Sequence, residues 1–325
     1  MNRRRFLSSS MAGLTGLVGV AGIAELATWR RTGRHLGVGV HTVTPDVVKI
    51  LQSLHVTQVR MTLDWQAWVE ARDLNHDGVP DNVAYQRNLA SALGQLDGAG
   101  IESLIVVHTP PAGADYSMTQ GRAALATLLG QLVRTAPYRK RVWQIMNEMD
   151  GDAGFNGGRH DWFGASDKSL SQRDRGDLYG QFLPPVYDAI KSADPSAIVV
   201  TGGIALEPTG FYKGLAQRTT KFDAVAVHCY GRPVAPVFRS KSIAMRGVVG
   251  STPLWCTEFG NNSTDDAAQA NDIRDVVADF VQNNRYDRAY LYNLITDVAK
   301  GDTYGIVRPD LVRRPAARLL LDSLP

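Results

Sequence analysis

Two glutamates stand where a fold gains nothing from a carboxylate. Glu148 closes the run RVWQIMNE (Arg141 to Glu148) and Glu258 sits in LWCTEFGN, each after an apolar stretch of strand character. Burying a charge costs several kcal/mol unless it is paired, so two carboxylates at the ends of apolar runs imply compensation or use. Other polar residues close apolar runs in the same way: His41, Arg60, His108, Asn147, His228, Tyr230 and Asn293. Two carboxyls with a fixed cation and a hydroxyl donor can pass protons and attack an electrophilic carbon. Schiff-base or metal-cluster chemistry would want a lysine or grouped ligands at strand ends, and no such run ends in lysine. Two cysteines cannot build a four-thiolate zinc cluster.

The elements that must position these groups repeat as strand then helix from Leu36 onward. Strand candidates are Leu36 to His41, Val56 to Leu63, Ile101 to His108 and Arg141 to Glu148, then Ala197 to Gly203, Phe222 to His228, Pro253 to Phe259 and Arg288 to Leu294. Between them PDVVKILQSLH, YQRNLASALGQLDGAG, ALATLLGQLV, DLYGQFLPPVYDAIKSAD and DDAAQANDIRDVVADFVQNN read as amphipathic helices. Near-continuous apolar strands separated by helices predict a parallel sheet covered on its outer face. Eight such runs suit one closed (β/α)8 TIM barrel, whose active site lies at the C-terminal ends of its strands. An open doubly wound sheet is the weaker reading, because the first strand-to-helix turn, His41 to Pro45, lacks the glycine fingerprint for dinucleotide phosphates.

Length and charge fit that plan. The 325 residues, 44% of them hydrophobic, can bury a large core, which excludes a disordered or disulfide-stapled chain. The formal charge of +3 invites a guess of nucleic acid or anionic membrane. Yet Arg3, Arg4, Arg5, Arg30 and Arg31 against Glu25 put four net positive charges in the first 31 residues, leaving −1 for the remainder. MNRRRFL, three serines and the apolar run Met11 to Ala24 match a secretory leader, and Arg3-Arg4 followed by Phe6-Leu7 looks like the twin-arginine signal. The run is shorter than the ~20 residues of a spanning helix. The expectation is a signal and short linker over 1–34, export to the periplasm or beyond, no membrane contact past the signal, and a nearly neutral monomeric domain over 35–325.

Here the residues carry a family resemblance. Asn147-Glu148 at the end of the fourth strand and Glu258 at the end of the seventh resemble the acid/base and nucleophile of glycoside hydrolase clan A, the (β/α)8 retaining glycosidases. His228-Cys229-Tyr230 resembles the clan's His-x-Tyr element, and Arg60 its arginine beside the nucleophile. The resemblance spans the whole barrel and is closest in character to the cellulase-like and xylosidase-like families. It implies a β-glycosidase acting on a poly- or oligosaccharide through a glycosyl-enzyme, with no organic cofactor. In such enzymes the two carboxyls stand ~5 to 5.5 Å apart, one attacking the anomeric carbon while the other protonates the leaving oxygen. Arg60 and the Tyr230 hydroxyl would favour an ionised Glu258, partial burial would help Glu148 hold its proton, and Asn147 would donate to the sugar 2-hydroxyl. His108 and His228 are either packing residues or substrate contacts. The clan commonly presents a tryptophan on the eighth strand, but Tyr290-Leu291-Tyr292-Asn293 has none, which leaves the sugar open. A catalytically silent glycan-binding barrel and a transglycosylase are the alternatives; the full set of Glu148, Glu258, Asn147, Arg60 and Tyr230 argues against the silent one.

Indole rings beyond strand ends would extend a sugar groove, which selects Trp65, Trp68 and Trp162. Trp143 and Trp255 are expected in the core, turned toward the helices by strand alternation. The polar segment Met149 to Arg175 is long for a strand-to-helix loop and would wall the groove. The same alternation turns Cys256 inward and Cys229 outward, predicting two free thiols. Asp73, Asn75, Asp77 and Asp81 place oxygen ligands at alternate positions around Gly78, resembling the calcium repeats of thrombospondin type 3 and dockerins. The expectation is a structural calcium remote from the chemistry, against a plain solvated turn.

Overall fold

A computed structural model describes residues 35–64, 67–68, 81–109, 119–135, 137–151, 169–298 and 301–323. The leader, Trp65, Trp162 and the calcium candidates Asp73, Asn75 and Asp77 lie outside the described residues, as does most of the loop after Gly151. Eight strands follow in order: β1 His35–Gly39, β2 Gln58–Asp64, β3 Glu102–Thr109, β4 Val142–Asn147, β5 Ile198–Gly203, β6 Val225–Tyr230, β7 Leu254–Gly260 and β8 Arg288–Leu291. The helices are α1 Pro45–Ser53, α2 Asp81–Gly98, α3 Thr119–Arg134, α4 Gln172–Ala193, α5 Pro208–Arg218, α6 Val234–Val249, α7 Asp266–Gln282 and α8 Ala316–Ser323. Asp81, the remaining calcium candidate, is the first residue of α2.

All strand pairs are parallel, in the order β5-β4-β3-β2-β1-β8-β7-β6. Parallel bridges Val200 to Ala224 and Ile204 to Val227 bring the two outer strands together and complete the (β/α)8 barrel. Local chemistry starts the helices. Thr44 accepts the Val47 N–H at 3.2 Å ahead of Pro45, Ser171 and Asp174 form a capping box, and Asp265 accepts from Ala267 and Ala268. Helices α5, α6 and α8 were not among the five expected from periodicity. In α5, Gly210 and Gly214 weaken the local signal by about 1 kcal/mol each. Packing requires Gly214, since a Cβ there would stand 1.9 Å from Arg173 O, and one on Gly176 would stand 1.9 Å from Phe211 O. Helices α4 and α5 therefore touch backbone to backbone.

Two hydrophobic layers result. The barrel interior is filled by Leu104, Val106, Val142, Val200, Ala224, Ala226, Trp255 and Tyr290, and the larger layer lies between barrel and helices. Trp143 faces the helices as expected, but Trp255 does not: it plugs the barrel, with the Arg288 guanidinium 4.3 Å from its ring. The reason is an irregular register in β7. Cys256 pairs with Ala289 and Phe259 with Leu291, so three steps along β7 match two along β8, and the phase counted back from Glu258 inverts. Cys256 accordingly packs outward with Cys229, in thiol-to-thiol contact. Both thiols are free, though the expected separation onto opposite faces is wrong.

Candidate active site

The end of β4 is turned by its backbone. Met146 and Glu148 have φ of +68° and +49°, left-handed conformations that L-residues adopt at a cost and that cluster at functional sites. The Glu148 N–H donates to Gly203 O at 2.9 Å, holding the turn against β5. Asp150, buried, accepts the N–H groups of Ala205 at 3.0 Å and Glu207 at 3.1 Å, and so fixes the loop after β5 to the segment that carries Glu148. Lys241 on α6 donates to His228 O at 2.8 Å and to Ala205 O, closing the ring from below.

Four strands converge on two carboxyls. Glu148 and Glu258 are 4% and 5% exposed, and one oxygen of each lies with a His228 nitrogen inside a mutual distance of 4.8 Å. Arg60 Nη1 meets Glu258 Oε1 at 2.6 Å, Arg60 Nη2 donates to Asn147 Oδ1 at 2.7 Å, and Arg60 Nε donates to Gln144 Oε1 at 3.1 Å. The Tyr230 hydroxyl donates to Glu258 Oε2. His228 Nδ1 stands 2.6 Å from Glu148 Oε1 and 3.4 Å from Glu258 Oε2. Six sequence candidates, Arg60, Asn147, Glu148, His228, Tyr230 and Glu258, thus form one cluster.

Burial sets the protonation of this cluster. It pushes His228 down to about 4, with Glu258 opposing and Arg60 reinforcing, so the imidazole is neutral near pH 7. Among the described residues its Nε2 has no hydrogen-bond partner, and its Nδ1 faces a carboxylate, which assigns the proton to Nδ1. Burial and then Glu258 raise the Tyr230 hydroxyl, keeping it a donor. Of the two buried carboxyls, that of Glu258 is the one paired with the Arg60 guanidinium. Glu148, His228 and Glu258 have the spacing of a three-ligand metal set, but the Arg60 guanidinium already covers one Glu258 oxygen and opposes a second cation.

The remaining candidates are placed differently. His108 is half-buried near the end of β3, and Asn293 is buried and donates to Asp302 at 3.3 Å. Trp68 is partly buried and packs against the outer core. Three tyrosines gather beside Glu258. Tyr230, Tyr292 and Tyr304 meet edge to face at 5.2 to 6.0 Å, and His41 packs on Tyr292 at 6.0 Å. Arg314 pins the loop bearing Tyr304 through Asp266 Oδ1 at 2.7 Å and Thr303 O at 2.8 Å.

Gln144 and Gly203 were missed. A polar side chain inside an apolar strand and a Gly-Gly strand end were the available signals. A Cβ on Gly203 would stand 1.9 Å from His228 Nε2, so the imidazole occupies the place of a side chain. Gly203→Ala should therefore move His228 off Glu148 and lower kcat about 10²-fold, as ångström-scale misplacement does. The check is kcat beside the thermal midpoint: loss of activity in a folded variant supports the packing role, and unchanged activity contradicts it.

Similarities to known proteins follow the same outline. The family model described as "Glycosyl hydrolase catalytic core" matches residues 207–306, from the start of α5 through β8. A search of curated proteins finds no match. Among solved structures, GH5_18 from Streptomyces cattleya in complex with GlcNAc is 14% identical with a TM-score of 0.63, covering 90% of this chain and 79% of that one. GH5_18 from Bifidobacterium longum subsp. infantis is 11% identical with a TM-score of 0.64, covering 90% and 78%. The family 1 β-glucosidase of Thermotoga maritima is 11% identical with a TM-score of 0.66, covering 90% and 98%. These likenesses are likenesses of fold.

Proposed function

We propose, taking the chain as a glycoside hydrolase, that it cleaves β-linked neutral sugars by double displacement, with Glu258 as nucleophile and Glu148 as acid/base. The observation that carries the reading is that an oxygen of Glu148 and one of Glu258 lie within 4.8 Å, the Glu258 carboxylate held by Arg60 and Tyr230 and the Glu148 carboxylate by His228. Retaining enzymes set their carboxyls ~5 to 5.5 Å apart, whereas inverting ones leave ~6.5 to 9.5 Å for a water.

The cluster's charges suit each step. Ionised Glu258 forms a bond to the anomeric carbon as the glycosidic C–O bond breaks, and Glu148 gives its proton to the departing oxygen. Glu258 is now a neutral ester and Glu148 carries the charge, so the pair keeps one negative charge opposite Arg60. Glu148 then takes a proton from water, the water oxygen bonds the anomeric carbon, and Glu258 is released. His228 Nδ1–H, within reach of both carboxylates, can donate to whichever is ionised. No organic cofactor enters, and a calcium at Asp73 to Asp81 would be structural. Residues 1–34 fit a twin-arginine export signal, which puts the work outside the cytoplasm, and the reaction calls for only one subunit.

The test is the anomeric proton of the first product. Incubation with a panel of β-linked glycans, followed by NMR, should give the β anomer before mutarotation. An α product at early time would replace double displacement with a single inversion.

A further inference from the structure

Gln144 is a wholly buried amide in the apolar run of β4, and the strand register sets it level with Val106 of β3 and Val200 of β5, both in the barrel interior. A buried amide is costly unless its hydrogen bonds are made, and both ends of this one are used. Its Oε1 accepts from Arg60 Nε at 3.1 Å, while its Nε2 donates to Met146 O at 3.2 Å and to Asn147 Oδ1 at 3.3 Å. Arg60 Nη2 donates to the same Asn147 oxygen at 2.7 Å. Asn147 itself is half-buried, and among the described residues its Nδ2 makes no hydrogen bond.

The direction of each bond follows from the guanidinium. Arginine carries donors only, so the Gln144 atom facing Arg60 Nε is the oxygen, and the other end of that amide is the NH2. This NH2 and Arg60 Nη2 are then two donors on one Asn147 atom, which makes that atom the amide oxygen. The Asn147 NH2 is turned away from both and stays free to donate. Met146 O, the second acceptor of Gln144, belongs to the residue whose φ of +68° turns the chain toward Glu148. We propose that Gln144 is a positioning residue: it locks the Asn147 side chain with its NH2 offered to substrate, and it secures the turn that presents Glu148. An apolar side chain of similar size would fill the interior as well but would leave Arg60 alone to hold the amide. The proposal rests on the glycosidase reading for its effect on catalysis, but not for the orientation of Asn147.

Gln144→Glu separates the two ends of the amide. The new carboxylate still accepts from Arg60 Nε but, ionised beside that guanidinium, has no proton to donate, so it repels Asn147 Oδ1 and draws the Asn147 NH2 inward. The readout is kcat/KM for the aryl β-glycoside that wild type cleaves best, divided by that for its 2-deoxy counterpart. The bond from Asn147 to the 2-hydroxyl strengthens in the transition state, so the ratio should fall about tenfold in Gln144→Glu. Gln144→Met should lower it in the same direction by about threefold, and it carries the comparison if Gln144→Glu does not fold. A side chain that merely supports the fold would slow both substrates alike, so an unchanged ratio in the folded variants overturns the proposal. Wild type that cleaves no β-glycoside sinks the glycosidase reading alone. The orientation is then read without substrate, from the NMR signals of the Asn147 side-chain NH2, identified by their loss in Asn147→Asp. Signals that move in the Gln144 variants uphold the positioning role, and signals that stay in place overturn it.

Discussion

Glu258→Gly should lower turnover of β-glycosides about 10⁴-fold or more, because the step that splits one difficult displacement into two has lost its nucleophile. The substitution also strands Arg60, which is 7% exposed and meets Glu258 Oε1 at 2.6 Å. A buried charge deprived of its partner costs about 3 to 5 kcal/mol, so the variant should also melt earlier than wild type. Both defects have one remedy. Azide is a small anion that fits the vacated carboxylate position beside Arg60, so it should raise the midpoint and restore part of the turnover. It attacks from the face opposite the leaving group, so a β-glycoside should yield the α-glycosyl azide. Activity that survived without azide, or azide that stabilised the fold without forming an azide product, would move the nucleophile elsewhere.

Much of this arrangement was legible in the sequence because parallel-barrel strands are buried on both faces and read as continuous apolar runs. Glu148 and Glu258 stood out against those runs; Asn147 and Tyr230 end β4 and β6 as expected, whereas His228 lies two residues before the end of β6 and Arg60, expected to close its run, is the third residue of β2. What stayed hidden depends on contacts between distant residues or on small breaks in period. Gly203 matters only because His228, 25 positions later, fills the space of its missing Cβ. Asp150 and Lys241 act through backbone groups of residues 205 to 207 and 228, which no local pattern reveals. Strict alternation misplaced Trp255 and Cys256 because one extra residue in β7 shifts the phase between them and Glu258. The absence of a tryptophan after β8 was visible, but not the contact of Tyr292 with Tyr304, which arrives from a loop folded back by Arg314.

Glu148→Ala should act on the other half of the reaction and so leave a different signature. A general acid contributes about 10² to 10⁴-fold, and only where the leaving oxygen needs its proton. Natural glycans should therefore lose turnover across that range. Aryl glycosides with acidic phenols should still form the glycosyl-enzyme quickly and then stall, since no base remains to activate water. Loss of the carboxyl also frees His228 Nδ1–H from its 2.6 Å partner, leaving Glu258 Oε2 at 3.4 Å as the nearest carboxylate oxygen. Azide should accelerate turnover of the aryl substrate here too, but by attacking the glycosyl-enzyme after one inversion, so the product is the β-glycosyl azide. One reagent thus reports the two roles by opposite anomers. An α-azide from Glu148→Ala would exchange the assignments of the two glutamates. Equal loss on activated and natural substrates would mean that Glu148 shapes the cluster without transferring a proton.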